Sequence, residues 1–298
     1  MALKDLIGLS VLFAFALLLQ PGPANASPLP EAVWTTGSAK PANGLPDGNY
    51  AIYRNGEPDA VAAWYGSPTR RYRHAILGDA IEAGSLHVSV RNGGTYKLVL
   101  PESQVFEDRT PRIVDLDQDG KFEVITIRSF LSAGGSVAIY GLRDGKLVEL
   151  ASTAPIGRSN RWLNIAGIAD YAGRGKPQIA YVETPHIGGT LYFVEWRGTD
   201  LVPIVSIHGF SNHQIGAREQ GLSGDLDFDG DGRTDIAVPS NDRRTLRVIG
   251  VQDGKARELH RVMFPAAIKR TTTGPLTEKA CLGLELENRK TAQVCPPE

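Results

Sequence analysis

Two nine-residue stretches, DLDQDGKFE and DFDGDGRTD, carry carboxylates at alternate places and again at the ninth. In the first, Asp115, Asp117, Asp119 and Glu123 take places 1, 3, 5 and 9, with the carbonyl of Lys121 at place 7 and Gly120 at the bend. In the second the same places fall on Asp227, Asp229, Asp231 and Asp235, with the carbonyl of Arg233 and with Gly232 at the bend. Carboxylates at alternate places of a curling loop converge on one point. Converging hard oxygens suit a cation such as calcium, which takes about six to eight of them. One ion per loop, about two in all, is the expected load. Catalysis by these acids would instead need two carboxylates flanking a substrate pocket, one with a raised pKa, and acids committed to a metal fill neither role. An EF-hand is excluded by spacing, because its bidentate glutamate at place 12 is replaced here by Thr126 and Val238.

Two other stretches match the pattern incompletely. DYAGRGKPQ keeps Asp170 but has Ala172, Arg174 and Gln178 at places 3, 5 and 9. The Arg174 guanidinium is expected to pair with Asp170 in the place of an ion. The first copy keeps only Asn55, Gly56 and Asp59, and both are expected to be metal-free. Asp225, just ahead of the second full loop, is left over as an outer hydrogen-bond partner.

Each loop leads into a short alternating or wholly apolar run such as FEVITI, QIAYVET or DIAVPS, the mark of strand and not helix. A second element follows: SLHVSVRNGGTYKLVL from Ser85, SVAIYGLRDGKLVEL from Ser136, TLYFVEWRGTDLVPI from Thr190 and TLRVIGVQDGKAREL from Thr245, with starts 51, 54 and 55 residues apart. Each reads as a hairpin whose Asn-Gly, Asp-Gly or Gly-Thr turn supplies the positive φ of a tight connection. Units of this size cannot bury two sheet faces alone, so they must stack. The predicted fold is all-β, a single β-propeller of about five four-stranded antiparallel blades. Repeats are placed near 46–108, 109–163, 164–220 and 221–265, with closing strands in 266–298. A strand around Ala32 to Thr36 is expected to complete the last blade.

The aspartate-rich loop running into an apolar strand resembles the FG-GAP, or VCBS, repeats that build the N-terminal propeller of integrin α chains. The resemblance covers roughly residues 46 to 260, and its motif is complete at Asp115 to Glu123 and Asp227 to Asp235. It implies a calcium-binding propeller of the exported bacterial type, its ions on the outer side of the blade loops and stiffening the ring.

Residues 1–26, MALKDLIGLSVLFAFALLLQPGPANA, read as a cleaved secretory signal peptide, with a fourteen-residue apolar run from Leu6 to Leu19 and small residues at Ala24 and Ala26. Residues 27–298 form the expected propeller domain, periplasmic or secreted, monomeric, and without membrane insertion after cleavage. Cys281 and Cys295 are the only cysteines, and in an exported chain they are expected to form one disulfide. Lys plus Arg number 32 against 33 Asp plus Glu, a balance that does not point to nucleic acid.

At the other end of the predicted strands, RSFLSAGG, ETPHIGG and PSNDRRT recur at equivalent places, joined by NRWLN, SNHQIGARE and an insertion after the first strand that holds Arg70, Arg71 and His74. Loops gathered at one end of a rigid β scaffold commonly carry function. The candidate ligand face is therefore Arg128, Trp162, His186, Asn212, His213, Asn241, Asp242, Arg243 and Arg244, with Trp162 more readily read as core between units. Two classes of function stay open. One is a non-enzymatic module that binds a protein or polysaccharide. The other is a hydrolase or lyase acting on polar polymers through His186 or His213 and a nearby acid.

Overall fold

A computed structural model of the chain describes residues 43–54, 60–91, 93–272 and 281–297. The signal peptide, the strand expected near Ala32 to Thr36 and the loop Asn55 to Asp59 lie outside these residues. Twenty strands and no helix occur among them. They fall into successive up-and-down meanders. The first is β1 (Ala51–Arg54), β2 (Ala60–Thr69), β3 (Glu82–Val90) and β4 (Gly94–Val99), followed by the short β5 (Gln104–Phe106). The second is β6 (Arg112–Val114), β7 (Glu123–Phe130), β8 (Gly134–Arg143) and β9 (Lys146–Ser152). The third is β10 (Leu163–Ala169), β11 (Gln178–Glu183), β12 (Thr190–Arg197) and β13 (Asp200–His208). The fourth is β14 (Gly224–Leu226), β15 (Asp235–Pro239), β16 (Thr245–Gln252) and β17 (Lys255–Met263). Three strands end the chain: β18 (Ile268–Thr272), β19 (Leu282–Leu286) and β20 (Thr291–Val294).

The first three meanders are linked into one 13-stranded ladder, and the last two sheets have four and three strands. The links are thin: Ala83 pairs with Phe106 to join β3 to β5, and Asp200 pairs with Ser152 to join β13 to β9. Among the described residues no sheet closes on itself. Turn chemistry sets the hairpins. Asp144 and Gly145, and likewise Asp253 and Gly254, have φ of 51° and 72°, and 53° and 70°, the pair of left-handed residues that a two-residue turn requires. Three meanders also carry a register shift at one equivalent place, between Ile139 and Tyr140, Phe193 and Val194, and Val248 and Ile249. Such bulges bend and twist the outer pair locally.

The middle strands explain why the meanders must stack. β7 and β15 are buried along nearly their whole length, so both faces need a neighbour. Alternate side chains serve different neighbours. Val124, Ala138 and Tyr140 pack toward the first meander with Leu86 and Val88, while Ile125, Ile127 and Ile139 pack toward the third with Ile165, Ile179 and Val194. The same division recurs farther along, where Ile236 and Val238 face Val182 and Phe193, and Ala237 and Val248 face Ile268 and Leu284. Full burial of each such aliphatic side chain stabilises the fold by roughly 1.5–3 kcal/mol. Cys281 and Cys295 form a disulfide across the open ends of β19 and β20, next to the Leu282–Val294 pair. No helix among the described residues is long and apolar enough to cross a membrane.

Candidate functional site

Connections in an up-and-down meander alternate between its two edges. The loops β6–β7, β10–β11 and β14–β15 therefore share one edge, and β7–β8, β11–β12 and β15–β16 share the other. The acidic stretches occupy the first edge.

One hydrogen bond recurs in three loops of that edge. The place-6 amide donates to the place-1 carboxylate, as Gly120 to Asp115 (3.0 Å), Gly175 to Asp170 (2.6 Å) and Gly232 to Asp227 (3.0 Å). In the two acidic loops the place-2 amide donates to the place-9 carboxylate, as Leu116 to Glu123 (2.9 Å) and Phe228 to Asp235 (2.9 Å); in the third loop it is the place-3 amide, of Ala172, that donates to the place-9 side chain of Gln178 (2.8 Å). With the place-1 anchor shared, the loops differ in charge. Asp115, Asp117 and Glu123 bring ligand oxygens within 4.8 Å of one another, as do Asp227, Asp229 and Asp235, so that each trio could hold a metal ion. Asp115 Oδ1 and Glu123 Oε1 are buried and bond to nothing among the described residues. Burial, with the neighbouring carboxylates, pushes Glu123 up to about 7 and Asp235 up to about 6. These are acids for which charge compensation is missing.

The fourth carboxylate of each expected set stands apart. Asp119 accepts from Lys121 Nζ at 2.8 Å and Asp231 accepts from the Arg233 guanidinium, because the place-7 side chain folds back over place 5. The third loop also departs from expectation. Arg174 reaches Glu195 on β12 (2.5 Å) and not the Asp170 carboxylate, whose oxygens are engaged by the amides of Arg174 and Gly175. The Gln178 amide nitrogen fills the centre of that loop, donating to the Lys176 carbonyl (2.5 Å) and more weakly to Asp170 Oδ1 (3.4 Å). A neutral N–H donor thus bridges the place-7 carbonyl and the place-1 carboxylate, the two groups that a cation would bridge in the acidic loops. Asp225 accepts from the Tyr171 hydroxyl (2.7 Å) across the third and fourth meanders.

At the other edge, the segments 184–189, 209–215 and 240–244 converge on a cavity of about 420 Å³ whose lining includes His186, Ser211, Gln214, Ile215, Asn241 and Arg243. Behind it lies a histidine relay. His186 Nε2 is 3.0 Å from His213 Nδ1, and His213 Nε2 is 2.9 Å from the Ala217 carbonyl. A carbonyl only accepts, so His213 carries its proton on Nε2 and its Nδ1 accepts from His186. The remaining ring nitrogen of neutral His186, Nδ1, is then an acceptor. Trp162 lies buried beneath both rings, its plane within 4° of His186, and its indole N–H donates to the Glu107 carbonyl at 2.9 Å. Burial pushes His186 down to about 4, with the Arg243 guanidinium adding to the effect, and burial likewise pushes His213 down to about 4.

An unfolded histidine titrates near 6.5, so between pH 6.5 and 4 the unfolded chain takes up protons that this pair refuses. The stability that depends on the neutral pair is complete above pH 6.5 and declines as the pH falls toward 4. Urea unfolding at pH 7.5 and 5.0 should show His213, which is fully buried, responsible for a loss on the order of 1–2 kcal/mol. In His213→Asn that pH-dependent part of the loss should vanish.

Of the nine residues expected on the ligand face, His186, Asn241 and Arg243 line the cavity and His213 supports it. Arg128 is buried within β7, paired with Glu149 and lying 4.8 Å over the Phe130 ring. Asn212 is buried in a reciprocal amide–backbone pair with Asn164 (3.1 and 3.3 Å). Asp242 caps its own turn through the amides of Arg244 and Thr245, and Arg244 donates to the carbonyls of Phe264 and Pro265. The insertion is sewn onto its surroundings: Arg71 donates to the Gln104 carbonyl, His74 bonds Glu107 (2.6 Å), and the Tyr72 hydroxyl accepts from the Asn160 amide (2.9 Å). Ser211, Gln214 and Ile215 belong to the SNHQIGARE segment expected at this end but were not among the nine residues singled out. The only signal for them was an isoleucine in a polar segment, and Ile215 is 66% exposed. Comparison of the chain with protein-family models and with curated proteins finds no match.

Proposed function

We propose that this chain is an exported β-propeller, rigidified by about two calcium ions, that acts as a binding module for a protein or polysaccharide through the cavity edge. The observation that carries the reading is the convergence of carboxylates in the two acidic loops. Asp115, Asp117 and Glu123, and Asp227, Asp229 and Asp235, gather carboxylate oxygens within 4.8 Å of one another in loops anchored through the place-9 carboxylate, while Gln178 supplies a hydrogen-bond donor at the equivalent centre. The carbonyls of Lys121 and Arg233 would complete the oxygen sets. Calcium at these loops would tie the start of one strand to the end of the preceding one. Successive stacking of the meanders through four apolar clusters supports blades arranged around an axis, with β18–β20 as the fifth. The disulfide and the apolar segment at 1–26 support export, to the periplasm or beyond.

The cavity favours binding over hydrolysis or lyase chemistry. A catalytic histidine is commonly oriented by an acid, and the relay from His186 through His213 ends instead on the Ala217 carbonyl. The test is capture from cell-envelope extract on immobilised protein with calcium, with chelator, and with His186→Ala. The reading expects partners that are held in calcium and lost in the other two arms. Equal capture by His186→Ala would count against this edge.

A further inference from the structure

We propose that the cavity takes the C-terminal end of a peptide whose last residue is aliphatic, with Arg243 pairing with the terminal carboxylate and His186 accepting the N–H of that residue. The proposal rests on the reading that this edge binds a partner, and narrows it to one chemistry.

Charge comes first. Among the described residues, Arg243 is the one charged side chain lining the cavity, and no aspartate or glutamate lines it. Neighbouring arginines are committed elsewhere: Arg247 pairs with Glu258, and Arg244 bonds the 264–265 carbonyls. Arg243 has a buried Nε without a hydrogen-bond partner among the described residues. Its guanidinium has no ion pair among the described residues. A partly desolvated guanidinium lacking an anion is unfavourable on its own, and its planar fork matches a carboxylate with two parallel hydrogen bonds. The backbone beneath it is held in place. Arg243 sits in the left-handed region at φ 51°, its amide donating to Ser240 and its carbonyl accepting from Ile268, both at 2.7 Å. A non-glycine residue kept in that region by fixed contacts is a pre-positioned side chain and not a drifting one.

Hydrogen bonding comes second. The relay fixes the tautomer of neutral His186 so that its remaining nitrogen, Nδ1, accepts, and the ring asks for a donor. Asn241 and Gln214, with amides that donate and accept, stand in the same lining.

Shape comes third. Among the described residues only Val99, Ile187, Ile215 and Met263 are large hydrophobic side chains left exposed. Ile215 lines the cavity, and Ile187 lies between His186 and Gly188, which also line it. A volume of about 420 Å³ falls in the ordinary range for small-ligand sites, roughly 300–1,000 Å³. An aliphatic C-terminal residue offers a carboxylate, an adjacent N–H donor and an apolar side chain together. A fatty acid lacks the donor, and a uronic acid and inorganic phosphate lack the apolar body.

The experiment uses the full mature chain with calcium and N-acetyl-leucine as probe, followed by isothermal titration. For a ligand of about a dozen heavy atoms a dissociation constant on the order of 1 mM is expected. N-acetyl-leucinamide, which lacks the charge, and N-acetyl-N-methyl-leucine, which lacks the N–H, should each bind at least ~10-fold more weakly. Octanoate, glucuronate and inorganic phosphate should bind no better than these two. Arg243→Gln should reproduce the loss seen with the amide, and the ligand arms give the same information if that variant does not fold. Binding of acid and amide within about twofold, stronger binding of octanoate, glucuronate or phosphate, or no heat up to ~20 mM N-acetyl-leucine would each overturn the proposal. Calcium-dependent envelope partners that still require His186 would, in the last case, leave the binding-module reading standing.

Discussion

Calcium at 10 mM should raise the thermal midpoint of the chelator-treated protein by roughly 10–20 °C at pH 7.5. Loops of extracellular modules bind calcium with dissociation constants near ~0.1–1 mM. At the tighter end, 10 mM is about 100 times the constant, which stabilises by about 2.7 kcal/mol per site. Two sites give about 5 kcal/mol, and a domain of this size gains about 2–4 °C per kcal/mol. The effect has a definite pH dependence. Glu123 and Asp235 are held up to about 7 and about 6 by burial and by neighbouring carboxylates, and the ion requires their charged forms. In the metal-free fold those raised values work against stability above pH 7, and calcium removes the penalty. At pH 5 protons compete, by roughly 100-fold at the Glu123 site and 10-fold at the Asp235 site, and the calcium-induced rise should shrink to a few degrees. Circular dichroism melts with calcium and with chelator at the two pH values measure this. Coincident melts at pH 7.5 would count against metal binding by both trios.

Gly189→Ala should destabilise the protein by roughly 3 kcal/mol or more, a fall of about 6–12 °C in the thermal midpoint. A methyl group there would overlap the Phe210 carbonyl oxygen and lie 2.8 Å from Val182 Cγ1. The nearest obstacle is backbone. It cannot swing away, because the Gly189 carbonyl accepts from the amides of Gly209 (2.8 Å) and Phe210 (3.1 Å). This crossing locks the 184–189 loop against the 209–215 segment, and the cavity lies between them. Gly134 occupies the comparable crossing in the second meander, at φ 79° and against the carbonyls of Arg158 and Arg161. A Gly189→Ala protein that melts within 2 °C of the parent would show that the crossing is loose, and would weaken the case for a preformed cavity.

What the residues revealed in advance was whatever is local. Asp144-Gly145 and Asp253-Gly254 turn where their types require, with positive φ at both places. The apolar run at Val124 to Ile127 is a strand buried on both faces. Asp115, Asp117 and Glu123 converge because alternate places of one loop face one side. What escaped prediction lies in contacts between segments far apart in the chain. Nothing within DYAGRGKPQ says that Arg174 will find Glu195, nor does NRWLN say that the Trp162 N–H will be satisfied by the Glu107 carbonyl, 55 residues earlier. Asn212 looked like a ligand group and is instead a core pair with Asn164, 48 residues away. In SNHQIGARE, Asn212 and His213 turn inward while Ser211, Gln214 and Ile215 face the cavity. Alternation in an irregular segment has no fixed period, so composition alone could not sort them.

The most direct test of the account is calcium titration of the metal-stripped mature protein by isothermal calorimetry, with Glu123→Gln, Asp235→Asn and the double substitution Ala172→Asp, Gln178→Glu beside it. The account predicts about two sites in the parent, one in each of the first two variants, and a third site where the double substitution restores carboxylates at places 3 and 9 around Asp170. Four equivalent sites in the parent, or none, would contradict it.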